Sequence, residues 1–329
     1  MGHRSLLLLG LVLLLGACAP ALQEVKQEVK EDARTSDDFI VVVAREGDTA
    51  ETLAAKYLKG ADRAWMITEL RDAAPIKPSD VVVIPIRPRR LGGIEADGHQ
   101  VVPILTYHDI EAVSKNRFAI TAELFEQQLR YLKENGYVGI TLDELDRFLR
   151  YEQALPKKAV VITIDDGYKS AKTFAAPLLK KYGFPATFFI YTDFIGGGKH
   201  ALSWDDLREL KAQGFDVQGH SKTHSNLAVP PPNMSAADRA ARLDAEIVAT
   251  KQLMENRVGG EIRYFAYPYG GFDSEVVAKV KEAGYRVGFG AKKGYNPFYI
   301  DRYRLKRYNV FMEQDLTKFV QMLQTFEKD

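Results

Sequence analysis

Asp165 and Asp166 close a run of apolar, largely β-branched residues, Val160-Val161-Ile162-Thr163-Ile164, and Gly167 follows them. Such a run reads as a buried strand of a parallel sheet. In α/β folds the groups at the carboxyl ends of these strands face the ligand crevice. Two adjacent carboxylates repel one another there unless a cation or a proton lies between them. An Asp-Gly pair alone is also an ordinary turn, so a second pattern matters. Gly219-His220-Ser221-Lys222-Thr223-His224 sets two imidazoles four residues apart. On a helical turn that spacing puts both rings on one face, where they can grip one ion. Two neutral imidazoles and one carboxylate suit zinc with an open position for water, and iron, cobalt or nickel accept the same set.

Thr163-Ile164-Asp165-Asp166-Gly167, His220 to His224, and Tyr267-Pro268-Tyr269-Gly270 resemble, in that order, the first three motifs of the polysaccharide deacetylases. These are the NodB-homology, or carbohydrate esterase family 4, enzymes, and the resemblance runs from about Val101 to Asp329. It implies one divalent metal held by Asp166, His220 and His224, with Asp165 as general base and the backbone N–H of Tyr269 facing the oxyanion. The chemistry is coherent, because a metal lowers the pKa of a water and polarises an acetyl carbonyl, and a nearby carboxylate can take the proton.

Two departures from the family pattern stand out. Ala266 occupies the place of an arginine that usually pairs with the base, which leaves open what orients Asp165. Leu305-Lys306-Arg307 carries arginine where a late histidine is expected as the acid. Both departures, with Leu105-Thr106-Tyr107-His108-Asp109-Ile110, resemble the poly-N-acetylglucosamine deacetylase branch. That branch takes its acid from the early Tyr-His element, which implies His108 here, with a buried structural histidine as the competing reading. Trp204, in a stretch that recurs in the family, reads first as packing under the site and second as a sugar contact. Tyr267, Asp301 and Arg302 are further candidates for lining the cleft. His3, His99 and His200 carry no assigned role.

These residues need a scaffold that brings separate strand ends together. A strand over 101–105 runs into Thr106-Tyr107-His108, and a helix follows with Phe125, Leu129 and Leu132 on one face and Gly136 as its stop. Thr141 to Glu144 fits a capping box. A helix over 170–182 and a strand over 186–190 come next, then a helix over 204–213 capped by Ser203, and the strand 215–219 that delivers His220. Val229-Pro230-Pro231-Pro232-Asn233 is a loop, and the stripe Leu243, Ile247, Thr250, Met254 is the packed face of a long helix. Strands alternating with helices predict an α/β fold with a parallel sheet, closed or nearly closed. The resemblance implies a distorted (β/α)7 barrel of the NodB type.

Ahead of the barrel, strands at 39–43 and 81–85 flank helices at 50–57 and 64–73. This βααβ order, with Arg45-Glu46-Gly47-Asp48-Thr49 after the first strand, resembles a LysM module, a binder of N-acetylglucosamine glycans. Arg71-Asp72-Ala73 stands where that module usually has asparagine, so a spacer is the competing reading. Arg4, the apolar run 6–15 and Leu15-Gly16-Ala17-Cys18 resemble a bacterial lipoprotein signal, with Cys18 as the lipidated residue. The run falls short of a membrane span. The expected organisation is a signal peptide at 1–17, a polar tether at 18–38, a LysM-like module at 39–86, a linker at 87–100 and the deacetylase domain at 101–329. Cys18 is the single cysteine, so no internal disulfide can form, and a net charge of +1 without a basic stripe argues against nucleic acid.

The function expected is metal-dependent removal of N-acetyl groups from N-acetylglucosamine units of an extracellular polysaccharide, with release of acetate. Poly-N-acetylglucosamine is the preferred substrate and peptidoglycan the alternative. A catalytically inactive glycan-binding lipoprotein and a hydrolase of small amides or esters are the competing classes. The expected location is the cell envelope through a lipid anchor, at the periplasmic face of the outer membrane in a source with two membranes.

Overall fold

The computed structural model describes residues 33–328, apart from 37, 72, 87–90, 114, 115 and 117. The signal peptide, Cys18 and most of the tether fall outside the described residues. Arg34–Thr35 (β1) pairs antiparallel with Phe39–Val43 (β2), so the end of the expected tether belongs to the small unit. Ala50–Leu58 (α1), Trp65–Leu70 (α2) and Val81–Pro85 (β3) complete it, with β2 and β3 antiparallel in the expected βααβ order. The second helix is shorter than the expected 64–73, because the chain leaves helical geometry at Arg71 and Ala73 takes left-handed backbone at φ 59. Thr49 and Thr52 form a reciprocal cap at α1, and Leu53, Ala54, Ile67, Val82 and Ile84 fill a core of the unit's own.

The expected linker is largely structured. Ile94–Glu95 (β4) and Gly98–Val102 (β5) form an antiparallel pair. Pro103 has no N–H to give, so the chain breaks there before Ile104–Tyr107 (β6). Ile110–Glu111 (β7) pairs with Ile120–Thr121 (β8), and Ala122–Glu134 (α3) follows, capped by Thr121. Its buried Phe125, Gln128, Leu129 and Leu132 repeat at helical spacing, and Gly136 beyond it takes φ 73. Val138–Gly139 (β9) leads to Leu142–Leu149 (α4), whose Thr141–Glu144 capping box forms as expected.

Ala159–Asp166 (β10) is buried along its whole length, as a central parallel strand covered on both faces must be. Alternation along it sends Val161 into one apolar cluster with Phe189 and Phe289, inside the curled sheet. Ile162 and Ile164 go to the other cluster, against the surrounding helices. The helix expected over 170–182 opens with a π turn, Ala171–Ala175, and becomes α only at Ala176–Tyr182 (α5). Thr187–Ile190 (β11), Trp204–Ala212 (α6) and Asp216–Gly219 (β12) follow, with Ser203 and Asp206 capping α6 reciprocally. The long helix is Ala236–Leu243 (α7), a π segment Asp244–Ala249, and Thr250–Val258 (α8). Tyr264–Ala266 (β13), Ser274–Glu282 (α9) and Val287–Phe289 (β14) come next, then Asn296–Pro297 (β15), Tyr308–Asn309 (β16), Leu316–Val320 (α10) and Phe326–Lys328 (β17).

Seven parallel strands run β14-β13-β12-β11-β10-β6-β16. The segment 302–309 bonds to β14 on one side, through Gly288 N to Arg302 O and Gly290 N to Leu305 O, and to β6 on the other. It draws the two edges of the sheet together, and it carries Arg307. Strands β15 and β17 pair with β5 as a separate antiparallel sheet. Among the described residues no helix is long and apolar enough to cross a membrane.

Candidate active site

The carboxyl ends of β6, β10, β12 and β13 open into a cavity of about 360 Å³ lined by His108, Asp165, Asp166, His220, His224, Tyr269 and Arg307, among others. Strand alternation separates the two neighbouring carboxylates. Asp165 lies in phase with Val161 and Thr163, toward the interior of the sheet, whereas Asp166 turns away with φ 78. Gly167 follows at φ 98, and a Cβ there would stand 2.8 Å from Ile195 Cδ1, so only glycine suits this turn.

Asp166, His220 and His224 offer ligand atoms that all lie within 4.8 Å of one another. Asp166 Oδ1 is 3.2 Å from His224 Nε2 and 3.6 Å from His220 Nε2. With bonds of ~2.0–2.1 Å, neighbouring ligands of a tetrahedral ion stand roughly 3.3–3.4 Å apart. His220 Nδ1 meets Ala266 O at 2.7 Å, which fixes the proton on Nδ1 and leaves Nε2 free to ligate. Asp166 Oδ1 is buried without a hydrogen-bond partner among the described residues, an arrangement that is costly unless a cation meets it. The residues fit a divalent metal.

Burial pushes the His220 imidazole down to about 4, despite the carboxylates of Asp165 and Asp166 beside it, so it is neutral and a competent ligand at physiological pH. Burial works against ionising Asp166, but the surrounding imidazoles of His224, His220 and His108 outweigh it and hold that carboxyl below its usual range.

The two histidines do not share a helical turn. Residues 220–224 form a loop, with Ser221 at φ 73 and His224 at φ 60. The expectation fails because four-residue spacing can also be met by a loop that folds back on itself. Here Ser221 Oγ accepts from the His224 N–H at 3.1 Å and holds the loop closed.

Arg307 answers what orients Asp165. Its Nη1 donates to Asp165 Oδ1 and its Nη2 forms an ion pair with Oδ2, each at 2.9 Å. Its Nε donates to Gly290 O at 2.9 Å, and its guanidinium lies over the Phe189 ring at 5.6 Å. Both partners are 2 % exposed. Asp165 Oδ2 is 3.8 Å from His220 Nε2, close to the distance for Asp166, but both its oxygens are engaged by the fork. The arginine missing at Ala266 is thus matched by one arriving from the barrel's closing segment. The signal in the sequence was the pair of departures taken together, one arginine lost and one gained.

Breaking a buried pair leaves an uncompensated charge, and lysine cannot reproduce a two-pronged contact. We expect Arg307→Lys to lower kcat at least ~10-fold with KM little changed, and Arg307→Met to cost about 3–5 kcal/mol of stability besides. Steady-state kinetics and thermal unfolding would test this, and a lysine variant with full kcat would remove Arg307 from the site's working parts.

His108 follows β6 and stacks at 6.3 Å on Phe311, and its Nδ1 is buried without a partner among the described residues. Tyr269 sits in the 3-10 turn Pro268–Gly270 at φ 59, with its side chain 69 % exposed and its ring 4.7 Å from that of His224. The Gly270 and Gly271 N–H groups are engaged by the carbonyls of Tyr267 and Pro268. An aromatic belt continues from His224 through Tyr191 and Phe194 to Tyr168, at centroid spacings of 5.1 to 5.3 Å. The sequence reading missed this belt, because its members come from separate loops with no periodicity to mark them.

Of the remaining candidates, Tyr267 is fully buried and lines the cavity floor, with its hydroxyl donating to Tyr303 O. Trp204 packs against the helical core and does not line the mouth, since the Ser203 cap turns α6 into that layer. Asp301 pairs with Arg304, and Arg302 reaches Asp146 on α4, so neither lines the mouth.

Residues 152–288 match the family model described as polysaccharide deacetylase. YxkH of Bacillus subtilis (strain 168), provisionally named as a polysaccharide deacetylase, is 27% identical over 292 residues, which is 88% of this chain and 86% of that protein. The poly-beta-1,6-N-acetyl-D-glucosamine N-deacetylase of Staphylococcus aureus (strain COL) is 26% identical over 221 residues, 61% of this chain and 75% of that one. The Streptococcus pyogenes deacetylase PplD, solved in complex with acetate, shares the fold at a TM-score of 0.62 and 24% identity, covering 68% of this chain and 98% of that chain. His108 and Arg307 lie outside the matched residues, whereas β10 to β13, with Asp165 and Asp166, and the loops carrying His220, His224 and Tyr269 lie within them. Over residues 152–288 the barrel of this chain is similar in sequence to polysaccharide deacetylases, and it shares the fold of the solved one.

Proposed function

We propose that the chain is a metal-dependent hydrolase that removes N-acetyl groups from N-acetylglucosamine units of an extracellular polysaccharide, releasing acetate and leaving free amines. The observation that carries this reading is the division of labour between two adjacent carboxylates. Asp166 stands with two imidazoles, whereas both oxygens of Asp165 are engaged by the Arg307 fork. A divalent metal on the Asp166, His220 and His224 set, zinc in our reading, would supply a water acidic enough to ionise near neutral pH and a Lewis acid for the acetyl carbonyl. Asp165 then takes the proton of the attacking water, and the Tyr269 N–H faces the oxyanion. His108, on another wall of the cavity, protonates the departing amine. The belt of Tyr269, Tyr191 and Tyr168 offers flat faces to sugar rings.

Poly-β-1,6-N-acetylglucosamine is the polymer we favour, on the names of the staphylococcal relatives. Peptidoglycan is the second reading, supported by the βααβ unit and its likeness to a LysM module. We further propose that Cys18 carries a lipid anchor and holds the enzyme at the cell envelope. Acetate release from each purified polymer would separate the two substrates, and release from neither would overturn the proposal.

The acid's role has its own test. An amine leaves only once protonated, whereas the nitrophenolate of an activated aryl ester needs no proton. His108→Ala is expected to lower kcat on the glycan by about 10²–10⁴ while hydrolysis of p-nitrophenyl acetate stays within a few-fold of wild type. Equal losses on both substrates would move the acid elsewhere.

A further inference from the structure

The loop between the two histidines is held from outside the barrel. Glu246 lies in the π segment of the long helix and is only 4 % exposed. One of its oxygens, Oε2, accepts from the backbone N–H groups of Lys222 at 2.9 Å and Thr223 at 3.0 Å. The other accepts from Thr223 Oγ1 at 2.5 Å and faces Ser225 Oγ at 3.4 Å. All four donors are neutral groups of residues 222–225, the stretch that links His220 to His224.

A carboxylate buried without a cationic partner is costly, so its place asks for a reason. The wide π turn supplies the geometry, and such turns recur at functional sites. It lets Glu246 and Ile247, neighbours in sequence, both face inward, Ile247 into the apolar core and Glu246 onto the loop. One turn earlier Arg242 reaches Ser225 Oγ at 3.0 Å and Asn226 O at 3.1 Å. On the opposite side Asp193 N donates to Lys222 O at 2.9 Å. The loop needs this grip, because Ser221 and His224 both hold left-handed backbone.

We infer that Glu246 is a positioning residue of the metal site, fixing the 222–225 loop so that His224 Nε2 stays within one ion's reach of Asp166 Oδ1 and the His220 ring. The inference rests on reading those three residues as the metal ligands. Groups that orient metal ligands typically change metal affinity 10–100-fold when removed.

The test is zinc affinity of the metal-free full chain, read by competition with a chromogenic chelator. Circular dichroism and thermal unfolding of each metal-free variant run alongside it. Glu246→Ala and Glu246→Asp, which removes and withdraws the carboxylate, are expected to weaken zinc binding roughly 10–100-fold. Their kcat should recover toward wild type once zinc is saturating. Glu246→Gln keeps the length and an acceptor for both N–H groups, and the hydroxyls can rotate to accept from its amide, so its affinity should stay within about threefold. A folded Glu246→Ala with wild-type zinc affinity overturns the inference. If that variant does not fold, an aspartate variant with wild-type affinity overturns it equally. A wild-type chain that takes up no zinc overturns the metal reading itself, an outcome distinct from the other two.

Discussion

Stripping the protein of divalent metal is expected to abolish acetate release from N-acetylglucosamine polymers, and adding back zinc to restore it. The size of the loss follows from what the ligand set is built to hold. A Lewis acid at the reacting carbonyl contributes several kcal/mol to transition-state stabilisation, and each ~1.4 kcal/mol is tenfold in rate. A fall of at least about 10³ is therefore expected. His220→Ala should match it without rescue by zinc, because it removes a ligand that is neutral, buried and fixed in its tautomer by Ala266 O. Acetate assays across a zinc titration of the chelated protein are the measurement. Activity that persists after verified metal removal would sink the hydrolytic role of the Asp166, His220 and His224 cluster.

Asp165→Asn is expected to lower kcat by about 10²–10⁴, the range for loss of a positioned general base, while zinc affinity stays near that of wild type. This pairing of results is the informative part. Asp165 Oδ2 and Asp166 Oδ1 stand at similar distances from His220 Nε2, 3.8 and 3.6 Å, so distance alone does not tell base from ligand. The partners do, since Arg307 engages both oxygens of Asp165 and leaves Asp166 to the imidazoles. If the asparagine variant lost zinc as well as rate, Asp165 would have to be counted among the ligands. Full activity would remove it from the mechanism.

Much of this site was legible in the sequence because its chemistry sits on short, local patterns. The strand ending in Asp165-Asp166-Gly167 could be read from β-branched residues and a turn, and the caps of α4 and α6 from Thr141, Glu144 and Ser203. What the sequence hid was whatever depends on contacts between distant segments. Arg307 reaches Asp165 across 142 positions of chain, and nothing local to it shows that it turns inward. The π turns at 171–175 and 244–249 were equally hidden, because periodicity over a long helix reports the buried stripe and not a local widening. Spacing misled at His220 and His224, where a helix and a folded loop satisfy the same four-residue interval.

Asp166, Ser221, His224 and Tyr269 are four of the nine described non-glycine residues with positive φ, and all four stand at or beside this mouth. Left-handed backbone costs such residues of order 1 kcal/mol each, against a total stability of about 5–15 kcal/mol for a typical domain. A barrel released from catalysis would gain from drifting toward glycine or asparagine at those places, since mutation removes strain that selection no longer protects. This chain still carries aspartate, serine, histidine and tyrosine there. The backbone is in that sense a record of use, and it weighs against an inert scaffold that merely kept the outline of an enzyme.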